Sequence, residues 1–114
     1  MNLRQIATQI QLLPVTAEEN LEREVAGCYV GDLLSAAMAS ARKGDLWLTV
    51  QSHANVVAIA VLLDLAGVVI TGGGQPDLTT AQRANDEGVV LLTTNRSTYA
   101  VAGQLWELGI RASE

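Results

Sequence analysis

Three short stretches of the chain carry the residue types that could do chemistry: Gln51-Ser52-His53, Thr71-Gly72-Gly73-Gly74-Gln75 and Thr93-Thr94-Asn95-Arg96-Ser97. They offer threonine hydroxyls that would line one edge of the sheet, hydrogen-bond donors and tight glycine backbone, with few charges. Such a set suits a neutral or anionic small molecule better than a metal. His53 is the only histidine, which excludes His-rich metal sites and twin-histidine mechanisms. Ser52, His53 and Asp45 invite comparison with a catalytic triad, but adjacent side chains on a turn seldom face each other, and no acid is placed by the spacing. His53 is therefore expected to cap a helix or to edge a ligand. The glycine run lets backbone amides approach a phosphate or a carbonyl closely. It lacks the GxxxxGK[ST] pattern of a phosphate-binding loop and the last glycine of GxGxxG. Read without a ligand, it is a strand-to-helix turn. Cys28 lies on an apolar segment and reads as an inert core thiol. Asp32 reads as a helix cap. No two carboxylates have a spacing that demands acid–base work.

These loops need a frame, and a periodicity supplies one. Gly67, Gly88 and Gly109 recur at an equal interval, each after a helix-like segment. Glycine suits the left-handed position past a helix end. The first two precede apolar runs, Val68 to Thr71 and Val89 to Thr94. Gly44 opens a similar unit leading into Leu46 to Val50. Short apolar runs without alternation suit strands buried on both faces. A unit of about 20 residues holds one helix, one strand and two loops. Helices are expected over Asp32–Arg42, Ala54–Ala66, from Pro76-Asp77 to Gly88, and from Ser97 (or Asn95) to Leu108. Val25 to Val30 reads as a further strand. Leu3, Ile6, Ile10 and Leu13 mark an amphipathic first helix that Pro14 ends. Thr16 to Glu24, polar and acidic, reads as a surface connection. The expected fold is a three-layer α/β domain over residues 1–114. Its sheet is mostly parallel, built of repeated βα units, with right-handed crossovers and helices on both faces.

In such a sheet the three stretches fall at the carboxyl ends of the strands, where ligands bind. The candidate ligand-contacting residues are Gln51, Ser52, His53, Thr71, Gly72, Gly73, Thr93, Thr94, Ser97, Thr98 and Tyr99. Neither a catalytic residue nor a metal ligand is assigned, and no cofactor is expected. Trp47 and Trp106 read as core or interface residues.

Composition narrows the partners. The 114 residues are 49% hydrophobic and 17% charged, with a net charge of −5. A nucleic-acid partner is not expected, because phosphate binding rests on clustered Lys and Arg. The longest apolar run, Val56 to Leu63, is too short for a membrane span. One cysteine and no signal-like N-terminus lead to an expected cytoplasmic location. The Ala54–Ala66 segment is apolar nearly all round, with only Asn55 and Asp64 interrupting it. A surface helix should show a polar face, so a homodimer covering this helix or its neighbour is expected. The other cover would be the N-terminal helix.

The ordered motifs resemble the DRTGG domain family. In the second half these are Val69-Ile70-Thr71-Gly72-Gly73, Gln75-Pro76-Asp77, Gly88-Val89-Val90-Leu91-Leu92, and Ser97-Thr98-Tyr99 with Ala102. In the first half, Leu21-Glu22-Arg23-Glu24-Val25, Tyr29-Val30-Gly31-Asp32-Leu33-Leu34-Ser35 and Lys43-Gly44-Asp45-Leu46-Trp47 are similar to stand-alone members. Thr71, Gly72 and Gly73 match the last three letters of the family name. Ser52 and His53 stand where its aspartate and arginine would fall. The resemblance implies a compact α/β domain similar to the N-terminal domain of HPr kinase. It also implies the regulatory and dimerising role that relatives have beside phosphotransacetylases and CBS-domain pyrophosphatases. The leading functional reading is thus a non-catalytic, homodimeric ligand-sensing module, with a nucleotide or phosphorylated metabolite as the candidate ligand. Two others stay open: an adaptor acting in trans on a separately encoded enzyme, and a small phosphoester hydrolase using His53.

Overall fold

The computed structural model describes residues 1–113. It contains five α-helices and five strands, which alternate from β2 onward, with one short 3-10 turn (Glu18–Asn20) between β1 and β2: α1 (Leu3–Ile10), β1 (Leu13–Pro14), β2 (Gly27–Val30), α2 (Leu34–Ser40), β3 (Asp45–Thr49), α3 (Ala54–Leu63), β4 (Gly67–Ile70), α4 (Leu78–Glu87), β5 (Leu91–Thr93) and α5 (Thr98–Glu107). The sheet order is β1-β5-β4-β3-β2. β2 to β5 are parallel, and β1 joins the β5 edge antiparallel. The expected three-layer, mostly parallel α/β architecture is what the chain forms.

Strand burial explains the missing alternation. On β3, Leu46 and Leu48 join one core with α1 and α5, while Trp47 joins another with α2 and α3. Val69 and Leu92 share the first core, and Val68 and Leu91 the second. Both faces of each strand are therefore apolar. Sequential strands wound with one hand place α2, α3 and α4 on the same face. The opposite face is closed by the helices at the two ends of the chain.

Several local expectations change. α1 stops at Ile10 because Gln11 turns left-handed (φ 56°). Pro14 does not end it but sits in β1, an edge strand where a missing N–H is tolerated. Leu13 is accordingly exposed rather than part of the helix stripe. Gly67 is not a helix cap, since α3 ends in a left-handed Asp64 (φ 55°) and Gly67 opens β4. Gly67 is needed for another reason: a Cβ there would lie 3.1 Å from the Val90 carbonyl oxygen. Asp32 does not cap α2, which begins after Leu33 without a side-chain cap. The Thr16–Glu24 connection is not merely superficial. Thr16, Ala17 and Leu21 are buried, and Thr16 Oγ1 donates to the Val89 carbonyl (2.7 Å) while accepting from the Leu91 amide (2.9 Å). Its side chain thus takes the place of a strand neighbour beside β5. Trp106 is exposed beneath the Arg111 guanidinium, whereas Trp47 is core and donates its indole N–H to the Gly31 carbonyl.

The apolar α3 buries Val56, Val57, Ile59 and Ala60 and leaves Val61 and Leu62 exposed. The N-terminal helix is not its cover, because α1 lies across the sheet with α5. Among the described residues no helix is long and apolar enough to cross a membrane.

Candidate functional site

The loops after β3, β4 and β5 meet at one rim because their strands run in parallel and in register. Thr49 is opposite Ile70, and Ile70 is opposite Thr93. Thr71 then donates its amide to the Thr49 carbonyl at 2.9 Å. The three stretches singled out by residue type are therefore neighbours in space.

What the threonines do there differs from a row of open hydroxyls. Thr49, Thr71 and Thr93 are all buried. Thr49 Oγ1 donates to Asp32 Oδ1 at 3.0 Å, and the same carboxylate oxygen accepts the Val50 amide at 2.8 Å. Asp32 thereby ties the β2–α2 loop to the end of β3. Thr71 Oγ1 lies 2.6 Å from Thr98 Oγ1 and 3.3 Å from the Thr49 carbonyl, fastening the first turn of α5 to β4. Gly72 (φ 74°) and Gly73 (φ 86°) take up conformations that favour glycine. Their amides are engaged: Gly72 donates to the Arg96 carbonyl (2.8 Å) and Gly73 to the Thr94 carbonyl (2.9 Å). The glycine turn staples two loops together rather than presenting those amides to a phosphate.

The helix starts at this rim are also occupied. His53 Nδ1 accepts the Asn55 amide at 3.2 Å, Asp77 accepts from Thr80 at 2.8 Å, and Ser97 accepts from Ala100 at 3.2 Å. Each side chain satisfies an amide that the helix itself leaves free. The Asp77 carboxyl is held below its ordinary value by the Thr80 backbone amide and then the Thr80 hydroxyl. It is thus an anion at the mouth of α4. Gln51 Nε2 reaches the Asp32 carbonyl at 3.1 Å, Ser52 is half-buried, and Tyr99 is 90% exposed on the α5 face. At the far end of the strands, burial and then the Asp45 charge push the Cys28 thiol up to about 12. It is protonated at neutral pH and a poor nucleophile.

Between the β4–α4 and β5–α5 loops lies an open cleft of about 340 Å³. Its position follows from topology. The loop after β4 leads to α4 on one face of the sheet, and the loop after β5 leads to α5 on the other. Where neighbouring strands send their connections to opposite faces, a crevice opens. Thr93, Thr94, Asn95 and Arg96 line one side, Gln75 another, and Gln11 at the end of α1 with Leu13 of β1 close it. Arg96 is fixed from below: its guanidinium donates to Gln104, to Thr94 Oγ1 (3.1 Å), and to the carbonyls of Ile10 and Gln11 at the end of α1.

Of the predicted contact residues, Thr93 and Thr94 line this cleft, Gly72 and Gly73 tie its two loops together without lining it, and Thr71, Ser97 and Thr98 anchor the loops around it. Gln51, Ser52 and His53 lie on the neighbouring β3–α3 loop. Gln75, Asn95 and Arg96 stood in the predicted stretches without being assigned contacts. Gln11 and Leu13 were missed altogether, because Gln11 ends α1 inside what read as a longer helix, and the two-residue antiparallel strand that holds Leu13 leaves almost no periodic signal. The Leu12-Leu13-Pro14-Val15 run was the available hint of an edge strand.

Comparison with known proteins agrees with this architecture. The chain superposes on part of the structure of the CBS and DRTGG domains of the regulatory region of Clostridium perfringens pyrophosphatase, solved in complex with its activator, diadenosine tetraphosphate. The TM-score is 0.71 at 16% identity, over 90% of this chain and 44% of that one. At this identity the likeness speaks for the fold, and the chain spans less than half of its neighbour's length. No curated protein matches the chain significantly. The sequence profile of the DRTGG domain matches residues 5–108, a span from the first helix to the end of α5 that includes the Thr71-Gly72-Gly73 staple. This protein belongs to the DRTGG domain family.

Proposed function

We propose that this chain is a non-catalytic regulatory module that senses a small ligand at the carboxyl rim of its sheet. The observation that carries the reading is the polar-lined cleft where the β4–α4 and β5–α5 loops part, its loops tied by the glycine staple and Arg96 fixed in its wall. Its volume, about 340 Å³, falls in the range of small-molecule sites, roughly 300–1,000 Å³. The neighbouring regulatory region was solved with a nucleotide activator, which supports a nucleotide or related metabolite as the ligand here. His53 and Cys28 support binding over catalysis, one serving as a helix cap and the other as a protonated, half-buried thiol.

The module works as a homodimer. A groove of about 310 Å³ runs between α2 and α3, lined by Leu34, Met38, Asn55, Ala58, Ile59 and Leu62. Leu33 is 68% exposed, Leu62 66% and Met38 49%. Two copies each carrying −5 repel least where neither presents an acid, and no charged residue lines this groove. The same face would serve an adaptor that docks on a separately encoded enzyme, so a partner held in pull-down without any metabolite bound would favour that second reading.

The test is a thermal-shift screen of nucleosides, nucleotides and phosphorylated metabolites. A true ligand raises Tm progressively with concentration, by about 2.7 kcal/mol of stability at a hundredfold excess over Kd. Gly73→Val, forced into φ 86° and 3.4 Å from Asn95 Oδ1, abolishes the shift. If nothing moves the melting curve at millimolar concentration, the sensing role fails.

A further inference from the structure

Resting on the sensing role just proposed, we infer that the cleft beside β5 recognises a nucleobase through its hydrogen-bonding edge, and not the phosphates of its ligand. Several groups that would hold phosphate at this rim are already engaged. The Gly72 and Gly73 amides bind loop carbonyls. The start of α5 is filled by Ser97 and that of α4 by Asp77, an anion that would repel another. Most donors of Arg96, the one cation lining the cleft, are committed to Thr94, Gln104 and the end of α1.

What the cleft offers instead is carboxamide. Gln11, Gln75 and Asn95 come to it from three separate segments, all three exposed. The carboxamides that the fold uses for itself lie elsewhere, as with Asn20, Asn85, Gln51 and Gln104. A carboxamide sets a donor beside an acceptor, the pattern that pairs with the edge of a base. Leu13 supplies an exposed apolar surface for the flat face, and the Thr94 hydroxyl adds polar reach. The cleft's size, near the lower limit for small-molecule sites, suits a nucleoside better than a dinucleotide. These features select a neutral, planar, hydrogen-bonding ligand.

The experiment is an NMR titration of the 15N-labelled chain with adenosine, guanosine, cytidine and uridine, each run beside pyrophosphate. The expected result is saturable movement of the Gln75, Thr94 and Asn95 amides with at least one nucleoside, and none with pyrophosphate. Gln75→Ala and Asn95→Ala, both at exposed positions, each weaken binding about tenfold, the loss of a hydrogen bond or two. Gln82→Ala, an exposed carboxamide on α4 outside the cleft, leaves it unchanged. Pyrophosphate binding at the same residues would overturn the base assignment while leaving sensing intact. So would nucleoside binding that neither cleft variant weakens. Silence from all four nucleosides and pyrophosphate overturns it too. If the wider metabolite screen is also silent, sensing falls with it.

Discussion

The layer of α1 and α5 and the layer of α2, α3 and α4 cover the same parallel strands, yet they meet solvent differently. α1 is sharply two-sided: Leu3, Ile6, Ala7 and Ile10 are buried, while Arg4, Gln5, Thr8 and Gln9 are exposed. Its ends are closed by a capping box from Asn2 and Gln5 and by the Arg96 clamp. α3 has no such division, and its outer residues Val61 and Leu62 are as apolar as its inner ones. A helix built to face water shows a polar stripe. The lack of one on α3 points to a neighbour other than water, since burying a Val or Leu side chain is worth roughly 1.5–3 kcal/mol.

Truncating one residue from each layer tests this contrast most strongly. Ile6→Ala, fully buried against the α1–α5 core, is expected to lose about 2–5 kcal/mol in urea unfolding. Leu62→Ala, at dilution where the chain is monomeric, is expected to stay within about 0.5 kcal/mol of the parent. Similar losses at the two sites would mean that the α2–α3 face is already covered within the chain. At higher concentration the order changes. Leu62→Glu places an acid in the uncharged groove, and sedimentation velocity is expected to show monomers where the parent sediments as a dimer, with unchanged circular dichroism. A parent chain that remains monomeric at every concentration removes the homodimer.

That the strands are sandwiched between helices was legible from their apolar runs and the stripe of the first helix, whereas which helix covers which face was not, since α1 was a candidate cover for α3. The apolar runs at Leu46, Val68 and Val89 had to be strands buried on both faces, and the Leu3-Ile6-Ile10 stripe had to be a helix with one wet side. Which residues form the rim was legible too, because parallel strands bring their carboxyl ends together. What each rim residue does was not. Thr71 and Gly73 carry the same letters whether they touch a ligand or hold a loop, and only the positions of Thr98 and Thr94 decide it. The cleft was hidden for a related reason. It depends on α4 and α5 leaving the sheet on opposite faces, on Gln11 ending α1 early, and on Leu13 arriving from a strand of two residues. Asp32 misled because an acid ahead of a helix reads as a cap, while Thr49 and Val50, distant in sequence, take its carboxylate instead.

The subtlest expected difference between the layers is their response to acid. On the α1–α5 side the helices are capped by neutral residues, Asn2 and Ser97. On the other side α4 starts at Asp77, and α3 ends at Asp64, whose carboxyl is held low first by its hydrogen bond from Arg23 and then by the charges of Arg23 and Lys43. A carboxyl lowered in the folded state adds stability that is fully present above its unfolded value, about 3.9, and disappears as pH falls through the folded value. Both groups are exposed, so the effect is local and small. Below about pH 4, 13Cα shifts in the first turn of α4 and at the end of α3 are expected to move toward coil before those of α1 and α5. Asp77→Asn, which keeps a capping oxygen without the titrating charge, should flatten the response of α4 and leave that of α3. Simultaneous fraying of all four helices would show that acid acts on the common core, and that charged caps do not distinguish the two layers.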